Sequence, residues 1–129
     1  MRYLLDTSVW LWMWNEPERL RNDARTIVED PGNQLYVSSA TAWEIATKAS
    51  ADRLELPAPV GEWLSDPRRL AEVTQLPITF AHASRAGTLP PLHRDPFDRM
   101  LVAQAQIENL TVITSDAKVA AYGIDAVRA

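Results

Sequence analysis

Tyr3-Leu4-Leu5-Asp6-Thr7-Ser8 is the stretch whose reading decides the fold. Three apolar residues running into a carboxylate read as a short buried strand that ends at Asp6. Outward from it, Trp10 to Trp14 reads as a short helix. Glu16-Pro17 suits a second helix start, with Leu20, Ala24, Ile27 and Val28 forming one apolar stripe that Pro31-Gly32 stops. Leu35-Tyr36-Val37 is the next strand, and the helical spacing of Ala42, Ile45, Ala46 and Ala49 predicts a helix over about Ala42–Ala51. The proline-rich middle, Leu54 to Pro90, offers short helices around Val60–Ser65 and Ala81–Ala86. Asp95-Pro96 opens a long helix carrying Met100, Leu101, Ala103, Ala105 and Ile107. Leu110–Thr114 is a β-branched strand and Ser115–Tyr122 a last short helix. Strands alternating with helices predict an α/β fold: a parallel sheet sandwiched between helices.

The chain has 129 residues, 47% hydrophobic and 23% charged, which suits a single domain over residues 1–129. A chain of this size buries roughly two-thirds of its unfolded surface, enough for a core without covalent staples. With no cysteine, disulfides, thiolate zinc sites, iron–sulfur clusters and cysteine nucleophiles are excluded. No run of about 18 apolar residues and no basic-then-apolar leader is visible, so a cytoplasmic protein without a membrane association is expected. A net charge of −4 argues against a protein that coats DNA or RNA through basic residues alone.

Four acids fall where this fold places chemistry. Asp6 follows the first strand and Asp116 the strand ending at Thr114, and ligands of open α/β sheets collect at the carboxyl ends of strands. Glu44 and Asp98 each fall in the first turn of an expected helix. Each acid also has a purely structural use. Glu44 completes a capping box, Thr41-Ala42-Trp43-Glu44, and can pair with Lys48. Asp95 suits the N-cap before Pro96, Asp98 favours the helix dipole, and Asp6 and Asp116 can cap the helices that follow them. As a set they mean more. Convergence of four carboxylates costs about 1–4 kcal/mol per close pair, which calls for a compensating cation. Oxygen donors, with no histidine at a ligand-like spacing, point to Mg²⁺ or Mn²⁺ rather than Zn²⁺.

Leu4-Leu5-Asp6-Thr7-Ser8, Trp43-Glu44-Ile45, the run from His93 to Ala105 (HRDPFDRMLVAQA) and Thr114-Ser115-Asp116 together resemble the PIN-domain ribonucleases, and among them the VapC-type toxins of bacterial toxin–antitoxin pairs. The likeness spans essentially the whole chain in the right order. It implies a Rossmann-like parallel sheet and a Mg²⁺- or Mn²⁺-dependent endoribonuclease. In it, metal-activated water hydrolyses the RNA phosphodiester, leaving a 5′-phosphate and a 3′-hydroxyl. Asp6, Glu44, Asp98 and Asp116 carry over as the catalytic, metal-binding acids. Asp95 is kept as a supporting acid, and Thr7 or Ser115 as a hydroxyl that orients a ligand. The resemblance further implies a cognate VapB-type antitoxin and a homodimer.

Among the remaining residues, Arg94 and Arg99 flank the acidic motif and are candidate phosphate contacts. Trp10, Trp12 and Trp14 are read chiefly as packing residues, with Trp10, Trp14 or Leu20 as candidates for antitoxin contact. His82 and His93 look isolated and are read as non-catalytic. Two other readings stay open: a metal-dependent phosphatase or phosphoacceptor domain with Asp6 as nucleophile, and a non-catalytic RNA-binding PIN domain.

Overall fold

The computed structural model describes residues 1–129. Its centre is β1 (Arg2–Leu5), flanked by β2 (Gln34–Ser38) on one side and β4 (Thr111–Thr114) on the other. β3 (Thr74–Leu76) and β5 (Ala126–Arg128) complete a five-stranded sheet of order β3-β2-β1-β4-β5, parallel throughout. Tyr3 pairs in register with Leu35 of β2 and Thr111 of β4. Because side chains alternate along a strand, Tyr3 and Leu5 feed one core and Leu4 the other. Ile113 and Val112 divide in the same way. An uninterrupted apolar run is therefore what this strand needs.

One face of the sheet is covered by α1 (Thr7–Asn15), α2 (Asn22–Glu29), α3 (Ser39–Ser50) and α4 (Val60–Ser65), which contribute Val9, Trp10, Ala24, Ile45 and Trp63 to the larger core. Trp10 and Trp63 meet edge to face with centroids 5.1 Å apart, the favoured geometry for two aromatic rings. A short α5 (Pro67–Leu70) then leads into β3. The opposite face is covered by α7 (Pro96–Glu108) and α8 (Ala117–Ala120) through Leu101, Val102, Ala105 and Val119; α6 (Phe80–Thr88) packs along α7.

Several boundaries differ from the sequence reading. The helix expected from Glu16-Pro17 is two pieces: a 3₁₀ turn over Pro17–Arg19, then α2 after an extended Leu20. Pro17 sits at a helix start as its fixed φ favours, but buried Leu20 leaves the helix to enter the core. α3 begins at Ser39 rather than Ala42, because Ser38 Oγ accepts the Ala40 N–H at 3.0 Å and takes the N-cap. α5, β3 and β5 add to the elements that the sequence predicts, and α8 is shorter than the helix expected there. β3 and β5 have three residues each, too few to display alternation, and β5 follows a turn in which Gly123 takes a positive φ of 75°.

The order of strands sets the position of the site. From β1 the chain moves outward through β2 to β3; it then crosses back to β4 and moves the other way to β5. The carboxyl ends of β1 and β4 are thus neighbours whose following segments diverge, and such a switch point leaves a crevice.

Candidate functional site

Asp6 leaves β1 and starts α1. Its Oδ1 accepts the Val9 N–H at 2.9 Å, capping the helix, while Oδ2 accepts the Thr114 hydroxyl at 2.5 Å and the Ser115 N–H at 3.2 Å. The carboxyl is 5% exposed. Burial raises its pKa, opposed by those three hydrogen bonds, with the charge of Glu44 pushing it further up. Both oxygens being held, Asp6 is a fixed acceptor in a negative setting.

Glu44 lies in the second turn of α3, not the first, so the Thr41 capping box does not form. The side chain instead turns inward. Its Oε1 accepts the Thr7 hydroxyl at 2.6 Å and its Oε2 pairs with Lys48 Nζ at 2.5 Å, the pairing expected from their i,i+4 spacing. Thr41 Oγ1 lies 3.2 Å from Thr7 Oγ1. Thr7 thus donates to an acid of the cleft. The other hydroxyl in contact with an acid belongs to Thr114 and not to Ser115, which uses its backbone N–H.

Asp95 caps α7, its Oδ1 accepting the N–H groups of Phe97 at 2.8 Å and Asp98 at 3.2 Å. This fixes the start of the helix and brings Asp98 over the crevice. Burial, then the charge of Asp95, and to a smaller extent Asp6 and Glu44, push the Asp98 carboxyl up to about 7, with His93 pulling the other way. Asp116 caps α8 by accepting the Lys118 N–H at 2.9 Å. Burial pushes its pKa up, but the Lys118 N–H and the His93 imidazole outweigh that and leave it below the ordinary carboxylate value.

All four acids line one cleft of about 180 Å³, together with Thr7, Ser8, Lys48, Asp95 and Ser115, and no hydrophobic residue reaches it. A larger cavity elsewhere, of about 250 Å³ between Trp10, Val37 and Leu64, has mostly apolar walls. No arginine pairs with any of the four acids. Five carboxylates and three hydroxyl residues beside a single lysine give this pocket the oxygen-donor chemistry of a hard divalent cation.

Three expectations need correction. His93 is not isolated: its Nε2 lies 2.8 Å from Asp116 Oδ2 and 3.0 Å from Asp98 Oδ2, and one ligand atom from each of the three falls within 4.8 Å of the others. The turn from Leu92 to Asp95 carries it there, and no spacing in the sequence announces that fold. Arg99 is not free for phosphate. Its guanidinium donates to the carbonyls of Ala86, Leu89, Pro90 and His93, clamping the end of α6 and the loop before α7. Arg94, by contrast, is exposed. Trp10 and Leu20 are buried at 2% and 6% exposure and cannot meet a partner, whereas Trp14 is half-buried with Arg69 over its ring at 5.3 Å. His82 is buried, its Nδ1 accepting the Thr79 N–H at 3.0 Å and lying 3.3 Å from the Gln104 amide nitrogen.

Comparison with known proteins places this geometry. The family model for the PIN domain matches residues 3–124. Ribonuclease VapC22 of Mycobacterium tuberculosis is 33% identical over 121 residues, covering 92% of this chain and 90% of that protein. Ribonuclease VapC16 of the same organism is 33% identical over 63 residues, 49% of this chain and 45% of that protein. Among solved structures, VapBC2 from Rickettsia felis bound to a promoter DNA fragment superposes with a TM-score of 0.73 at 17% identity, covering 99% of this chain and 98% of that one. VapBC from Salmonella typhimurium, also DNA-bound, gives 0.68 at 18% identity, with 99% and 98% covered.

Proposed function

The chain belongs to the PIN-domain family, and on that premise we propose that it is a VapC-type endoribonuclease, the toxin of a toxin–antitoxin pair, which hydrolyses RNA with Mg²⁺ or Mn²⁺. One observation carries the reading: acids from four separate segments, Asp6, Glu44, Asp98 and Asp116, line a single cleft at the carboxyl ends of β1 and β4.

These four acids would hold the ion. Bound there, a divalent cation would supply an acidified water for attack on the phosphodiester and would offset charge on the phosphoryl oxygens. The chain's own part is positioning. Thr114 and the Val9 and Ser115 N–H groups hold Asp6, Thr7 and Lys48 hold Glu44, and the Asp95 cap sets the start of the helix that carries Asp98. Such fixed geometry reduces the reorganisation needed as the reaction proceeds. Arg94, exposed beside this motif, is the candidate contact to RNA phosphates flanking the cut.

The partner of the pair is a VapB-type antitoxin. Support for it comes from the whole-chain likeness to toxins whose structures are VapBC complexes. A homodimer is part of the same proposal and is checked by light scattering of the purified chain. No helix is long and apolar enough to cross a membrane; the proposed place of action on RNA is the cytoplasm.

The test is incubation of the purified protein with end-labelled total RNA, with Mg²⁺, with Mn²⁺ and with EDTA, followed by mapping of the ends. Cleavage that needs the metal, leaves 5′-phosphates and is absent from Asp6→Asn and Asp98→Asn is expected. Cleavage that persists in EDTA, or undiminished activity of Asp6→Asn, overturns the reading.

A further inference from the structure

His93 is held at three points, two on its backbone and one on its ring. Its backbone N–H donates to Tyr122 Oη at 2.9 Å, its carbonyl accepts from Arg99 at 3.3 Å, and its ring Nδ1 accepts the Asp95 N–H at 3.2 Å. The last contact decides the chemistry of the ring. A backbone N–H only donates, so Nδ1 must present its lone pair, and the ring proton sits on Nε2. Nε2 donates to Asp116 Oδ2 at 2.8 Å, and Asp98 Oδ2 lies 3.0 Å from the same nitrogen. A nitrogen that carries a proton has no lone pair for a metal.

We propose that His93 is a positioning residue of the acidic centre: its Nε2–H donates to Asp116 and faces Asp98, keeping these two carboxylates, from the segment after β4 and the start of α7, together at the cleft, where they would help hold a divalent ion. His93 is not itself a ligand. The same contacts make Asp95 a double device: its side chain caps α7, and its backbone N–H sets the tautomer of His93. Tyr122, which also donates to the Pro90 carbonyl, ties the segment after α8 to the same loop. The arrangement resembles the partners that orient metal ligands in other sites, whose loss typically weakens metal affinity by about 10–100-fold.

The inference rests on the metal-centre reading, and the experiment separates the two. Mn²⁺ binding to the purified full chain is measured by the loss of the free-ion electron paramagnetic resonance signal, for the wild type, His93→Ala and His93→Gln. Expected are a weakening of about 10–100-fold in His93→Ala and recovery of most of it in His93→Gln, whose amide restores an N–H donor. Pulsed resonance of the wild-type Mn²⁺ complex is expected to lack the coupling of a directly bound imidazole nitrogen. Nitrogen-15 NMR of the metal-free wild type, which needs no variant to fold, is expected to show the Nε2–H tautomer for His93. Unchanged affinity in His93→Ala, failure of glutamine to restore binding, a bound-nitrogen coupling or an Nδ1–H tautomer would each overturn the assignment. Those results leave the nuclease reading intact. Absence of Mn²⁺ binding by the wild type sinks the metal centre and this inference with it.

Discussion

Thr114 Oγ1 donates to Asp6 Oδ2 across 2.5 Å, joining the carboxyl ends of two adjacent parallel strands that lie 108 residues apart in the chain. The same oxygen accepts the Asp116 N–H at 3.0 Å. One buried hydroxyl therefore sets the orientation of two acids of the cleft. Thr114→Val keeps the shape and removes both contacts. A loss of about 1–3 kcal/mol in urea unfolding is expected, as for buried polar partners left unpaired, together with weaker Mn²⁺ binding. A variant as stable as the wild type that binds Mn²⁺ equally well would contradict this role.

The metal-free protein is expected to lose stability as pH rises. Asp98 has its carboxyl pushed up to about 7 in the folded chain against an ordinary value of 3.8, so folding takes up a proton between those values. Stability is then fully present below about pH 4, declines through pH 7 and is level above it, with the raised Asp6 acting in the same sense. Asp116, held below its ordinary value, acts oppositely and only at lower pH. Thermal unfolding in EDTA from pH 4 to 8 checks the slope. Asp98→Asn should flatten it and raise the midpoint at pH 8; a steeper decline in that variant would reverse the sign.

Mn²⁺ should restore what high pH removes. An ion that binds only the folded chain adds about 2.7 kcal/mol at one hundred times its dissociation constant. The gain in unfolding temperature on adding Mn²⁺ is expected to be larger at pH 8 than at pH 5, because protonated Asp98 competes with the ion. Equal gains at both values would separate Asp98 from the metal.

Lys48 neutralises Glu44, a pair in which the acid is 7% exposed and the amine 37%. Lys48→Met leaves Glu44 with Thr7 as its remaining partner and is expected to cost about 1–3 kcal/mol in EDTA. Most of that loss should return with Mn²⁺, since the ion supplies the missing positive charge. Denaturation with and without the ion measures both halves.

Trp63 anchors α4 against Trp10 and is 1% exposed. Arg69 lies over its ring at 4.0 Å. Trp63→Ala is expected to cost about 3–5 kcal/mol through the cavity it leaves, while leaving the acidic cleft unchanged. A stability loss under 1 kcal/mol would show that this helix is a dispensable cover.

Much of the architecture was legible because its causes are local. Tyr3-Leu4-Leu5 is apolar throughout, as a strand covered on both faces requires, and Pro96 after Asp95 marks a helix start by its fixed φ and missing N–H. β3 and β5 were not legible: three residues each, they are strands only because β2 and β4 offer open edges. The Thr41 capping box was plausible by spacing, but Ser38 stands three residues earlier at the strand end and takes the cap first.

The sequence by itself determined that strands alternate with helices and that Asp6 and Asp116 follow strands, since periodicity and turn residues act over a few positions. It also supplied the acids and the likeness that names the family. Only the tertiary structure decided how those acids are held. Parallel register sets Asp6 beside Thr114, and a loop clamped by Arg99 and Tyr122 carries His93 between Asp98 and Asp116. Contacts of that kind depend on where distant segments meet, and local spacing carries no record of them.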